Sequence, residues 1–195
     1  MISQINETFQ KNKYAHVRDI ISKDMANFMT NYMFFKKDFG YLKEPGQDSQ
    51  CPKSYTVYGD QMFDSLLTYL LPVISDIVGK ELLPAYTYSR LYVNGEVLKK
   101  HTDRPSCQYS ATLTLGYKQP GRPWHIFFET SPNSSTCVPL DIGEMIVYMG
   151  EELPHWRNEF QNEWQVQVFL HYVDKNGPYA KEHIFDGRPR LGCNK

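Results

Sequence analysis

The sequence predicts an α+β fold, with helices first and a barrel or sandwich of short strands after them. Three observations carry this. The hydrophobic period is helical up to about residue 78 and then switches to alternation from residue 85. Gly, Pro and Asn/Ser clusters separate at least six strand-like runs. At 195 residues, with 41% hydrophobic content and no internal repeat or linker, the chain is expected to form one domain over 1–195.

Each element has a local reason. HVRDII (16–21) has strand composition. Ser22 is placed to cap a helix with Asp24 in its first turn, and Met25, Phe28, Met29, Tyr32 and Met33 recur at helical spacing as its core-facing side. FGYLKEPGQDSQCPKS (39–54) is a loop. Asp60 caps a second helix whose buried face is Phe63, Leu66, Leu67 and Leu70; Pro72 ends or kinks it, with helix resuming to about Val78 before Gly79. In AYTYSRLYV, Tyr86, Tyr88, Arg90 and Tyr92 share one face, and Asn94-Gly95 marks a turn. Further strands are expected at 97–101, 109–117, 124–129, 144–149 and 164–173.

Composition narrows the function. The formal net charge is −1 and no sustained Lys/Arg run occurs, which argues against a nucleic-acid partner. The N-terminal stretch lacks the apolar core of a signal peptide, and no run approaches the ~18 apolar residues of a membrane span. The four cysteines (Cys51, Cys107, Cys137, Cys193) are scattered, as expected for free thiols in a reducing, cytoplasmic setting that also suits ferrous iron.

LKKHTDRP (98–105) carries the chemistry. His101 and Asp103 stand at i and i+2, so on extended chain an imidazole and a carboxylate point to one side. His155, in PHW, follows 52 residues after Asp103, room for four or five strands before the chain returns beside His101. Two His and one carboxylate on one face, with positions left open, form the facial triad of non-haem Fe(II) oxygenases. HxD alone is weak; a surface histidine beside a turn-capping aspartate is the bland alternative.

The stretch RLYVNGEVLKKHTDRP resembles the double-stranded β-helix (a jelly-roll, cupin-like barrel) of the 2-oxoglutarate/Fe(II)-dependent oxygenases, most closely the prolyl-4-hydroxylase-like branch. A Tyr nine residues before the His (Tyr92), a turn glycine (Gly95) and HxD carry the match. It continues through YSATLTLGY, GEMIVYM, PHW and QVQVFLHYV. The resemblance implies a β-helix core over about 85–174, braced by a helical part over about 1–84, with His101, Asp103 and His155 as iron ligands. It also implies a dioxygenase that decarboxylates 2-oxoglutarate to succinate and CO2 with O2 as cosubstrate, ascorbate serving as reductant, while hydroxylating an unactivated C–H. A prolyl residue in a peptide or protein is the favoured substrate; a small molecule is the alternative within the superfamily.

One departure stands out. The family places Arg or Lys nine or ten residues after the distal His, to clamp the far carboxylate of 2-oxoglutarate; here those positions are Trp164 and Gln165. Arg90, on the face of Tyr92, and Arg157, two residues after His155, are the candidate replacements, and Gln165 is left with one hydrogen bond to donate. Thr112 and Thr114 are further candidates if they face inward, Trp156 and Tyr109 if they line a cleft, and His171 as a pocket wall rather than a ligand. The loop 39–54 and the segment 131–137 are candidate lids. The missing clamp also supports a rival reading, a non-enzymatic cupin-type metal-binding module; a nucleic-acid-modifying oxygenase is the third.

Overall fold

The computed structural model describes residues 2–193. Helix α1 (Ile2–Asn12) leads into strand β1 (Tyr14–Val17), then α2 (Lys23–Asp38), β2 (Tyr55–Tyr58) and α3 (Gln61–Val78). Strands β3 (Leu82–Val93), β4 (Leu98–His101), β5 (Tyr109–Tyr117), β6 (Ile126–Ser131), β7 (Ser134–Val138), β8 (Met145–Met149), β9 (His155–Arg157) and β10 (Trp164–Asp174) follow. A short helix α4 (Ala180–His183) precedes the C-terminal turn.

All pairings are antiparallel. A major sheet runs β1-β8-β5-β10-β3-β2 and a minor sheet β4-β9-β6-β7. Alternation along each strand decides which face meets what. On β10, Val166, Val168 and Leu170 pack with Leu67, Leu70 and Ile74 of α3 in the main core. Their neighbours Gln165, Gln167, Phe169 and His171 lie on the opposite face, between the sheets, with Thr112 and Thr114. The helices thus cover one face of the major sheet and leave the other as a barrel interior.

The caps act as expected. Ser22 Oγ accepts from Met25 N at 3.1 Å, and Asp60 accepts from Met62 N at 3.0 Å. Asp60 also takes Tyr32 Oη at 2.9 Å and Lys36 Nζ at 2.8 Å, tying α2 to α3. Helix α3 runs through Pro72 without ending, because Leu70, Ile74 and Ile77 stay buried on one face across it. Gly79, left-handed at φ +74°, ends it. By length and composition α3 could cross a membrane; in this fold its apolar face is committed to the major sheet.

Four expectations need correction. The first strand is Tyr14–Val17 rather than 16–21, since Asp19 adopts a positive φ of 49° that breaks extension. The part before residue 85 holds a second strand, β2, besides the expected first one, so that β1 and β2 supply both edges of the major sheet, and β3 begins at Leu82 rather than 85. Segment 131–137 is no lid but the turn and second strand of the β6–β7 hairpin. Tyr109 falls on the helix-covered face beside Phe9, not in a cleft.

Candidate metal centre

The minor sheet brings the distant histidines together. His101 at the end of β4 pairs in register with His155 at the start of β9, and their rings stand 4.3 Å apart. Asp103 follows β4, and its backbone N donates to Gly150 O at 2.8 Å, pinning the segment against the turn after β8. Asp103 Oδ1 then lies 3.6 Å from His101 Nε2 and 3.7 Å from His155 Nε2. Both distances exceed a hydrogen bond.

The outer nitrogens explain the inner ones. His101 Nδ1 meets Lys99 O at 2.7 Å and His155 Nδ1 meets Leu153 O at 2.9 Å. A carbonyl only accepts, so each Nδ1 carries a proton and Nε2 is the nitrogen left facing Asp103. Ligand atoms of the three side chains all fall within 4.8 Å of one another. Burial would raise the Asp103 carboxyl, but the facing imidazoles hold it below its ordinary value. Burial lowers His155; for His101 the same effect is outweighed by the Asp103 carboxylate, which raises it. Two imidazole nitrogens and a carboxylate thus converge without bonding one another, an arrangement that suits a divalent cation.

The three open onto a cavity of about 160 Å³ between the sheets. Tyr86, Tyr88, Tyr148 and Phe169 wall it, with Arg90, Gln50 and His171. A larger outer cleft of about 420 Å³ runs over Trp124 and Phe127 and touches none of the three converging residues. Trp156 faces the outer side of β9 and stacks on Phe127 at 5.5 Å rather than lining the cavity.

The two arginines differ in what they already hold. Arg90 Nε meets Asp48 Oδ2 at 2.8 Å, Nη1 donates to Tyr92 Oη at 3.3 Å and Nη2 to Gln50 Oε1 at 2.6 Å. It binds loop 39–54 to the barrel. Arg157 lies on the His155 side of β9, wholly buried. Its Nη1 donates to Trp124 O, while Nε and Nη2 meet no acceptor among the described residues. Burial lowers its pKa. Gln165 is committed: Oε1 accepts from Trp124 N at 3.3 Å and Nε2 donates to Gln167 Oε1 at 3.0 Å. Thr114 and Thr112 do face inward and close this network on Gln167, at 3.1 and 2.7 Å.

Sequence reasoning missed Gln50, Tyr148 and Phe169 in the wall, and Ser110, whose Oγ donates to Asp103 Oδ2 at 3.1 Å. Alternation along β5 and β10 would have placed Ser110 and Phe169 inward; nothing in the sequence announces Gln50.

No family model matches the chain, and no curated protein matches it. Solved structures do. A prolyl-4-hydroxylase from Pseudomonas putida superposes with a TM-score of 0.70 at 14% identity, over 89% of this chain and 99% of its own. The chain has the double-stranded β-helix fold of the 2-oxoglutarate–Fe(II) oxygenases. SnoK, a non-haem α-ketoglutarate-dependent carbocyclase from nogalamycin biosynthesis, shares this fold with a TM-score of 0.72 at 9% identity, over 88% of this chain and 83% of its own. So does a prolyl hydroxylase from Trichoplax adhaerens, solved with a peptide fragment of hypoxia inducible factor: TM-score 0.70, 12% identity, 89% of each chain.

Proposed function

We propose that this protein is a 2-oxoglutarate- and Fe(II)-dependent dioxygenase, with His101, Asp103 and His155 as the metal ligands. The observation that carries the reading is the convergence of two Nε2 atoms and one carboxylate oxygen within 4.8 Å, each imidazole held by the backbone carbonyl two residues before it. Fe(II), when bound, supplies the activation of O2 that links loss of CO2 from the cosubstrate to C–H oxidation.

Arg157 is the proposed clamp for the far carboxylate of 2-oxoglutarate. Nε and Nη2 form one edge of a guanidinium, two parallel donors matched to the two oxygens of a carboxylate. That edge is the unpartnered one on Arg157, whereas Arg90 has spent all three of its nitrogens. Tyr92 and the Gln165–Gln167 pair shape the buried end of the barrel beside it.

The proposed substrate is a prolyl residue of a peptide or protein. In support, the cavity is smaller than the ~300–1,000 Å³ typical for a drug-sized ligand. A large substrate would send in one side chain between Tyr86, Tyr88 and Phe169 and rest its remainder on the rim. Succinate release from 2-oxoglutarate with Fe(II) and a panel of proline-containing peptides tests this. Peptide-stimulated succinate with a one-oxygen mass gain is expected, and His155→Ala should abolish both. Turnover stimulated only by small molecules would overturn the peptide assignment.

A further inference from the structure

The two oxygens of Asp103 have different partners. Oδ1 faces the imidazoles, while Oδ2 accepts from Ser110 Oγ at 3.1 Å. A hydroxyl has one proton to give. Ser110 has a second acceptor in range, Cys107 O at 3.1 Å, but the charged carboxylate makes the stronger bond. With its proton spent there, Ser110 meets His171 Nδ1 at 2.9 Å as an acceptor. The His171 ring therefore donates from Nδ1. Tyr86 packs against it, the two rings tilted by 30° with centroids 4.4 Å apart. Gly150 closes the other side: a Cβ there would stand 2.5 Å from Asp103 Oδ2 and 2.7 Å from Ser110 Oγ. The carboxylate is thus gripped through one oxygen only.

We propose that Ser110 and His171 are positioning residues for Asp103, a relay from His171 Nδ1–H to Ser110 Oγ–H to Asp103 Oδ2 that turns Oδ1 alone toward the metal. This rests on the metal-site reading above. A carboxylate released from the relay could swing to offer both oxygens, and the second would compete for a position that cosubstrate or O2 must use. His171 then matters through its Nδ1 donor rather than as a ligand or a packing group, so a side chain that restores that donor restores the site.

Anaerobic Co(II) titration, read by d–d absorption and calorimetry, tests the relay in wild type, Ser110→Ala, His171→Phe and His171→Asn. Ser110→Ala and His171→Phe should weaken Co(II) by about 10–100-fold, as loss of a ligand's outer partner does. They should also alter the d–d band as Asp103 changes its mode. His171→Asn, whose amide N–H takes the place of Nδ1–H, should keep the wild-type band and remain within about threefold. Equal losses in His171→Phe and His171→Asn, or wild-type affinity in Ser110→Ala, would overturn the relay. If His171→Phe does not fold, Ser110→Ala and His171→Asn decide it. Wild type that takes up no Co(II) sinks the metal-site reading itself; wild type that binds alongside indifferent variants sinks the relay alone.

Discussion

Arg157→Met separates the clamp from a structural cation because its two expected effects differ in sign. The substitution keeps the apolar stem and removes the guanidinium. In the cosubstrate-free protein it deletes two buried donors without partners, each costing about 1–3 kcal/mol. It also loses the Nη1 bond to Trp124 O, about 1.5–3 kcal/mol for a charged donor. The balance runs from a loss of about 1 to a gain of about 4 kcal/mol and centres on a gain of about 2, at roughly 2–4 °C of Tm per kcal/mol for a chain of this size. With 2-oxoglutarate present, two charge-assisted bonds of about 1.5–3 kcal/mol each disappear. That is about 3–6 kcal/mol, or roughly 10²–10⁴-fold in Kd. Thermal shift and calorimetry with Mn(II) under anaerobic conditions read both quantities. A variant that melts well below wild type without cosubstrate, yet binds 2-oxoglutarate within about threefold of it, would refute the assignment and return the clamp to Arg90.

Three further outcomes are expected. Gly150→Ala should abolish metal uptake, because the added Cβ would lie 2.4 Å from Cys107 O and 2.5 Å from Asp103 Oδ2; a metal titration checks it. Asp48→Asn should destabilise the fold by about 3–5 kcal/mol in urea melts, since it leaves the buried Arg90 charge unpaired, while 2-oxoglutarate affinity changes little. Burial pushes the His171 imidazole down to about 4. The unfolded chain takes up that proton near pH 6.5, so between about pH 6.5 and 4 it holds more protons than the fold, and stability falls as pH drops. His171 should account for about 3 kcal/mol of the loss in metal-free protein across that window, so His171→Gln should lose less than wild type, by chemical denaturation at stepped pH.

Much of this architecture is legible from local chemistry. Ser22 and Asp60 announce their helices because a side-chain acceptor just before an apolar stripe has one good use. The 109–117 strand is readable to the residue because Ser, Thr, Leu and Ala alternate along it without interruption. His101 and Asp103 are legible as a pair because i, i+2 spacing on extended chain puts both on one side, and the β4–β9 register brings His155 beside them. What escapes depends on long-range pairing. Tyr14–Val17 and Tyr55–Tyr58 are four-residue edges, stabilised by the sheets they join rather than by their own composition. Ser134–Val138 reads as a polar loop because it is mostly solvent-facing, and only its register with β6 makes it a strand. Arg90 and Arg157 look alike in sequence; Asp48 and Gln50, both from a loop without pattern, are what set them apart.

The central claim is that His101, Asp103 and His155 hold Fe(II) in a site that chelates 2-oxoglutarate. An anaerobic titration of the metal-free protein with Fe(II), then 2-oxoglutarate, tests it most directly through the visible charge-transfer band of the chelate. A band in wild type that is lost in His101→Ala is expected. Fe(II) uptake with no band on adding 2-oxoglutarate would contradict it, and would leave a metal-binding barrel without the cosubstrate chemistry.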